Sequence, residues 1–214
     1  MRTISKLILT VFIFILLLLL SGLYGIPKAV IIDRLLMERG IYLLAGKVRE
    51  TPLSIELEKA RIFLRDEELG RFEKLKLSLR PFALNITGKC RKGVFSSTLS
   101  AGGDLEIKLR NLDCVKRVQS ASGKLKIEGD KIFGNIEVKG LKVPGASIDS
   151  ANFEFKGQDF KGKITYLGMT LTGGGKVKIN PKNLRESTID ARFQGKLGNL
   201  VVRGTLGNIS VRAR

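Results

Sequence analysis

Apolar and polar positions change rhythm twice along this chain. Residues 7–26 carry no charge, and their centre runs from Val11-Phe12-Ile13-Phe14-Ile15 into a leucine run at 16–20. At ~1.5 Å per residue that stretch reaches ~30 Å, the thickness of a bilayer's hydrocarbon core. A helical spacing follows in Ile32, Leu35, Leu36 and Arg39, with Pro27 at its first turn and Gly40 just past its end. That punctuation predicts a short helix over 28–40. From Ile41 onward the period is two.

The period-two segments are regular. Lys74-Leu75-Lys76-Leu77-Ser78-Leu79 alternates, as do Asp104-Leu105-Glu106-Ile107-Lys108-Leu109 and Lys124-Leu125-Lys126-Ile127-Glu128. Asn135-Ile136-Glu137-Val138-Lys139, Asn152-Phe153-Glu154-Phe155-Lys156 and Lys176-Val177-Lys178-Ile179 repeat the pattern. Successive strand residues face opposite sides, so each segment has one apolar and one charged face. Gly, Asn, Asp and Pro separate the segments at the spacing of an antiparallel meander, and no helical pattern intervenes to support a parallel sheet. The expected fold is mainly β: an N-terminal transmembrane helix, a short linker helix, then a long glycine-punctuated meander over 41–214.

A sheet with one apolar face cannot leave that face in water, so it must curl into a half-barrel or groove, form a sandwich, or be covered by a partner. Irregular segment lengths and the Gly102-Gly103 and Gly173-Gly174-Gly175 clusters argue against a closed barrel. The expectation is an open, twisted sheet or half-barrel. Its apolar groove would be lined by Leu75, Leu77, Leu79, Leu105, Ile107, Leu109, Leu125, Ile127, Ile136, Val138, Phe153, Phe155, Val177 and Ile179. Lysines 74, 76, 124, 126, 176 and 178 would point the other way. Residues 197–211 would form one edge, open to strand addition by another protein. Phe63, Phe72, Phe82, Phe95, Phe133, Phe153, Phe155, Phe160 and Phe193 are expected in the core rather than in a ligand cage.

The apolar N-terminal stretch divides the chain into a cytoplasmic stub with its span (1–27), a juxtamembrane helix (28–40) and a β domain (41–214). The long core and the lack of an A-x-A-like site favour a retained signal anchor over a cleaved signal peptide. Arg2 and Lys6 place the N-terminus in the cytoplasm. The expected location is therefore the inner membrane, single-pass, with the β domain in the periplasm.

The formal charge is +18, which favours anionic partners such as a lipid headgroup surface. The basic residues are spread along the chain rather than gathered on one arm or helix, which argues against nucleic acid. There is no His, so the commonest general base and metal ligand are missing. Asp104 and Glu106 share a strand face, but Lys108 continues it, which reads as a solvated charge row rather than a carboxylate pair. Thr172-Gly173-Gly174-Gly175-Lys176 departs from a phosphate loop: Thr170 stands at the first glycine position and Val177 follows the lysine. It reads instead as a hairpin turn. No catalytic, cofactor-binding or metal-ligating set emerges, and the chain is not expected to be an enzyme. Cys90 and Cys114 either form one disulfide in an oxidising compartment or stay as two separate reduced thiols.

One N-terminal span, a short helix and a glycine-punctuated meander resemble protein N of the bacterial type II secretion system. The stretch from Met37 to Gly88 carries the likeness, above all Gly70-Arg71-Phe72-Glu73-Lys74-Leu75-Lys76-Leu77-Ser78-Leu79-Arg80-Pro81, and Gly123-Lys124-Leu125 resembles the later repeats. The same pattern is shared more distantly with AsmA-like proteins, whose repeated strands form a lipid-carrying groove. The resemblance implies a non-enzymatic envelope component acting in protein secretion through protein or lipid contacts of its sheet. An alternative is a lipid-binding or lipid-transfer module, AsmA-like or similar to the bridge component C of lipopolysaccharide transport. The partners so implied are the membrane, envelope secretion or transport proteins and anionic lipid.

Overall fold

The computed structural model describes residues 28–37, 41–64, 67–143, 146–180, 186–195, 198–205 and 208–213. The expected span over 1–27 lies outside them, and among the described residues no helix is long and apolar enough to cross a membrane. One helix, α1 (Lys28–Met37), precedes β1 (Ile41–Leu44), β2 (Lys47–Thr51), β3 (Ser54–Leu64), β4 (Glu67–Arg80) and β5 (Ala83–Lys89). The chain continues through β6 (Val94–Ser100), β7 (Leu105–Leu112), β8 (Ser120–Glu128), β9 (Lys131–Val143) and β10 (Ala146–Gly157). It ends with β11 (Asp159–Tyr166), β12 (Met169–Lys178), β13 (Thr188–Gly195), β14 (Gly198–Thr205) and β15 (Asn208–Ala213).

All fifteen strands belong to one antiparallel sheet in chain order, and β1 does not pair with β15. The sheet is open, not a barrel. β1 and β2 lie end to end along β3, β1 on Arg61–Leu64 and β2 on Ser54–Glu58. The break between them falls at Gly46, whose N–H donates to the Glu58 carbonyl at 3.0 Å. Opposite the break, Lys59 takes a positive φ of 53°, which marks a local kink in the strand. α1 sits at this edge, with Ala29 packed against the first apolar cluster and its N–H donating to Glu50 Oε1 at 3.1 Å.

Every extensive contact between strands is between neighbours in the sheet. Among the described residues no second layer covers either face. Two apolar clusters form on one side instead. The first gathers Ile55, Leu57, Ala60, Phe72, Leu75, Cys90, Leu112 and Ala121. The second gathers Ala151, Phe160, Ile164, Ala191 and Phe193. Full burial of a ring such as Phe193, 2% exposed, contributes about 2–3 kcal/mol.

Several expectations are corrected. Gly173-Gly174-Gly175 is no turn: it lies inside β12, paired with Gly162, Lys161 and Phe160 of β11. A Cβ on any of the three would run into the backbone of an adjoining strand: 2.0 Å from the Arg192 oxygen at Gly173, 2.3 Å from the Phe160 oxygen at Gly174 and 2.1 Å from the Asp190 oxygen at Gly175. Phe82 is not core: it sits in the β4–β5 turn, 85% exposed. Phe133 is on the charged face, paired with Lys126 and Lys156. The free C-terminal edge is β15, since β14, which carries Val202, is paired on both sides.

Candidate functional site

Because paired residues of antiparallel strands face the same side, the register alone assembles the apolar face. One row runs unbroken from β3 to β14: Leu57, Leu75, Gly88, Phe95, Leu109, Gly123, Ile136, Phe153, Gly162, Gly173, Phe193, Leu200. Every position is apolar or glycine. At ~4.8 Å per strand the row extends on the order of 50 Å.

A parallel row begins Ile55, Leu77, Ile86, Ser97, Ile107, Leu125 and continues through Gly134, Phe155 and Phe160. Beside it Leu79, Leu84, Leu99, Leu105, Ile127 and Ile132 line up. On the other flank lie Leu112, Ala121, Val138, Ala151, Ile164 and Leu171. Val177 pairs with Ile189, and Ile179 is buried near the β8–β9 turn, its N–H aimed at the Asp130 carbonyl. The residues expected to line a groove thus occupy one face. Leu75 and Ile179 are buried, Leu79 is 61% exposed, and the others are half-buried.

The opposite face is a charge ladder. Lys76, Thr87, Ser96, Lys108 and Lys124 follow one another across β4 to β8. Glu106 takes Lys124 Nζ at 3.0 Å and Lys108 Nζ at 3.2 Å, and those ammonium groups hold its carboxyl below the usual range. Lys74 does the same for Glu56, at 2.7 Å. Glu106 is therefore part of an ion ladder with Lys108 and Lys124, whereas Asp104 lies in the β6–β7 turn, its N–H donating to Ser100 Oγ at 3.0 Å. Among the described residues no three His, Cys, Asp or Glu side chains gather to hold a metal ion.

One end of the apolar face is folded over. Cys90, at the end of β5, is joined by a disulfide to Cys114, with Cα atoms 5.3 Å apart. Cys114 lies in the β7–β8 connection, which crosses back to β4. The Arg71 N–H donates to the Cys114 carbonyl at 3.0 Å, and the Lys116 N–H to the Leu69 carbonyl at 3.1 Å. Gly70 bridges Val115, and a Cβ on Gly70 would stand 2.6 Å from the Cys114 oxygen. At the other end nothing folds over among the described residues: Leu53, Leu79, Phe82 and Leu99 are all exposed, and the backbone ties their turns together through Leu79 N–H to the Leu53 carbonyl and Ala101 N–H to the Phe82 carbonyl.

Sequence reasoning missed Leu84 and Ile86 of β5 and Ala191 of β13; Phe160 and Phe193 were expected in the core and are buried there. In β5 the signal was present as Leu84-x-Ile86-x-Gly88. In β13 it was Ile189-x-Ala191-x-Phe193, with small residues standing where large ones were sought.

Fold and face together define a class: an open antiparallel sheet with one continuous apolar face and one charged face. No family model and no solved structure matches the chain. A protein of Aquifex aeolicus (strain VF5), described as an uncharacterized protein, is 36% identical over 192 residues, covering 90% of this chain and 87% of that relative. The chain belongs to the same family as that protein.

Proposed function

We propose that this chain is a non-enzymatic envelope protein that holds acyl chains of lipid against its apolar face. The carrying observation is the unbroken apolar row from Leu57 to Leu200 with no second layer over it. The members of that row are buried or half-buried, and exposed large apolar residues gather at one end of the face, at Leu53, Leu79, Phe82 and Leu99; an exposed apolar patch marks a site for an apolar ligand or partner. In this reading the twisted sheet is a groove, closed at one end by the Cys90–Cys114 cap and open at the mouth formed by Leu53, Leu79, Phe82 and Leu99. The uncharged run at 7–26 anchors it in the inner membrane, and the disulfide suits an oxidising periplasm.

A second reading is favoured by a separate observation. β15 has a neighbour on one side only, and a free edge is a template for strand addition. That supports docking of an envelope partner protein, as the likeness to secretion protein N implies.

The test is extraction of the full chain in mild detergent, followed by mass spectrometry of retained lipid. Leu125→Asp places a charge in the middle of the face without touching the ladder. The wild type should retain acyl lipid and the variant should lose most of it. Equal retention by both would contradict the reading.

A further inference from the structure

The polar face changes character at its C-terminal end. Across β4 to β11 its cations are chiefly lysines set beside carboxylates: Lys74 by Glu56 at 2.7 Å, Lys124 by Glu106 at 3.0 Å, Lys156 by Glu154 at 3.0 Å. β13, β14 and β15 contain no lysine; their cations are Arg192, Arg203 and Arg212, and Asp190 is their carboxylate. Asp190 is already engaged, accepting from Arg203 Nε at 3.0 Å. Arg192 and Arg212 both pair with Val201, from opposite sides. They stand on the same face, about 10 Å apart at ~4.8 Å per strand, with no carboxylate partner among the described residues.

These groups line a concavity of about 570 Å³. Gln194 and Asn199 border it at one end and Ser210 near the other. Its lining is thus two uncommitted guanidinium groups, a third held in place by Asp190, and neutral amide and hydroxyl donors. Guanidinium groups bind phosphate through paired, charge-assisted hydrogen bonds. A phosphate's three acceptor oxygens use such a donor set more fully than the two of a carboxylate.

We infer that β13–β15 form a binding site for a phosphate group, with Arg192 and Arg212 closing on it from either side of Val201. The site lies on the face opposite the apolar rows, so it does not rest on the lipid reading. The same chemistry is offered by a soluble phosphate compound and by a lipid headgroup reaching the sheet edge.

The test is calorimetric titration of the full chain in a neutral detergent at low salt. The probes are inorganic pyrophosphate and dihexanoyl phosphatidic acid. Arg192→Gln/Arg212→Gln is compared with Lys161→Gln/Lys163→Gln, which removes equal charge from the same face at β11. Loss of both guanidinium partners should weaken binding about tenfold or more, while the lysine variant should change it by no more than about twofold. Such a selective loss with pyrophosphate assigns the site to soluble phosphates; seen with phosphatidic acid alone, it assigns the site to headgroups. Arg212→Gln alone, on the edge strand, replaces the double variant if that one does not fold. Absence of binding to either probe, or equal weakening by the arginine and lysine variants, overturns the inference.

Discussion

Gly88 faces Phe95 across the β5–β6 ladder, and the Phe95 ring occupies the space over the glycine: a Cβ on Gly88 would lie 2.0 Å from Phe95 Cε1. The ring then reaches Phe72, with centroids 5.5 Å apart in an edge-on arrangement. Glycine is thus a component of the apolar face, the half of a pair that lets the other half lie flat. Gly88→Ala should destabilise the fold by about 1–3 kcal/mol through overpacking. Combining it with Phe95→Leu should cost less than the two single changes added together. Denaturant unfolding of the four proteins checks the coupling.

The Cys90–Cys114 disulfide closes a loop whose ends are 24 positions apart. The chain-entropy model gives ~3.5 kcal/mol for a loop of that length. Cys90→Ser/Cys114→Ser should lower stability by about 2–4 kcal/mol. The local signature is faster hydrogen exchange at Arg71 and Lys116, whose amides hold the β7–β8 connection to β4. Loss of stability without faster exchange at those two amides would show that the cap is held by other contacts.

Acid should weaken the sheet before base does. Lys74 holds the Glu56 carboxyl below its usual range, Arg71 does so for Glu68, and Lys124 with Lys108 for Glu106. Such carboxylates stay charged to lower pH in the folded chain than in the unfolded one. Their contribution is in place above the ordinary carboxylate range and is lost as pH falls through the lowered folded values. Lys126 and Arg71, both raised by their carboxylate partners, keep their contribution at neutral pH and lose it only above their ordinary values. The melting temperature should therefore be flat around neutrality and fall on acidification. Glu106→Gln should make that acid limb shallower, by a small amount because the pair is solvated and screened by salt.

The sheet was legible wherever a strand alternates large apolar and charged residues, as at Leu75, Leu77, Leu105, Ile107, Leu125 and Ile127. Period two is a local property, and neighbours in sequence carry it. The Gly173-Gly174-Gly175 strand was not legible, because the close backbone of β11 and β13 on either side, which leaves no room for a Cβ, is far away in sequence. A glycine run read alone has the chemistry of a turn. Nor could sequence place Phe82: an aromatic ring between two strands reads as core until the register shows it at the turn. β6 was hidden for a different reason, since Ser96-Ser97-Thr98 interrupts its alternation although Ser97 pairs with both Ile86 and Ile107. The arginine row at Arg192, Arg203 and Arg212 is dispersed in sequence, and pairing across three strands brings it together.

In the proposed function lipid meets the apolar face and not the charged one. Ile107 and Lys108 are adjacent on β7 and face opposite sides of the sheet. A photo-crosslinking amino acid placed at each in turn, in the full chain expressed in its membrane and irradiated in cells, separates the two faces at one strand. Lipid adducts are expected at Ile107 and few at Lys108. Adducts equal at both positions, or found only at Lys108, would contradict the proposed function.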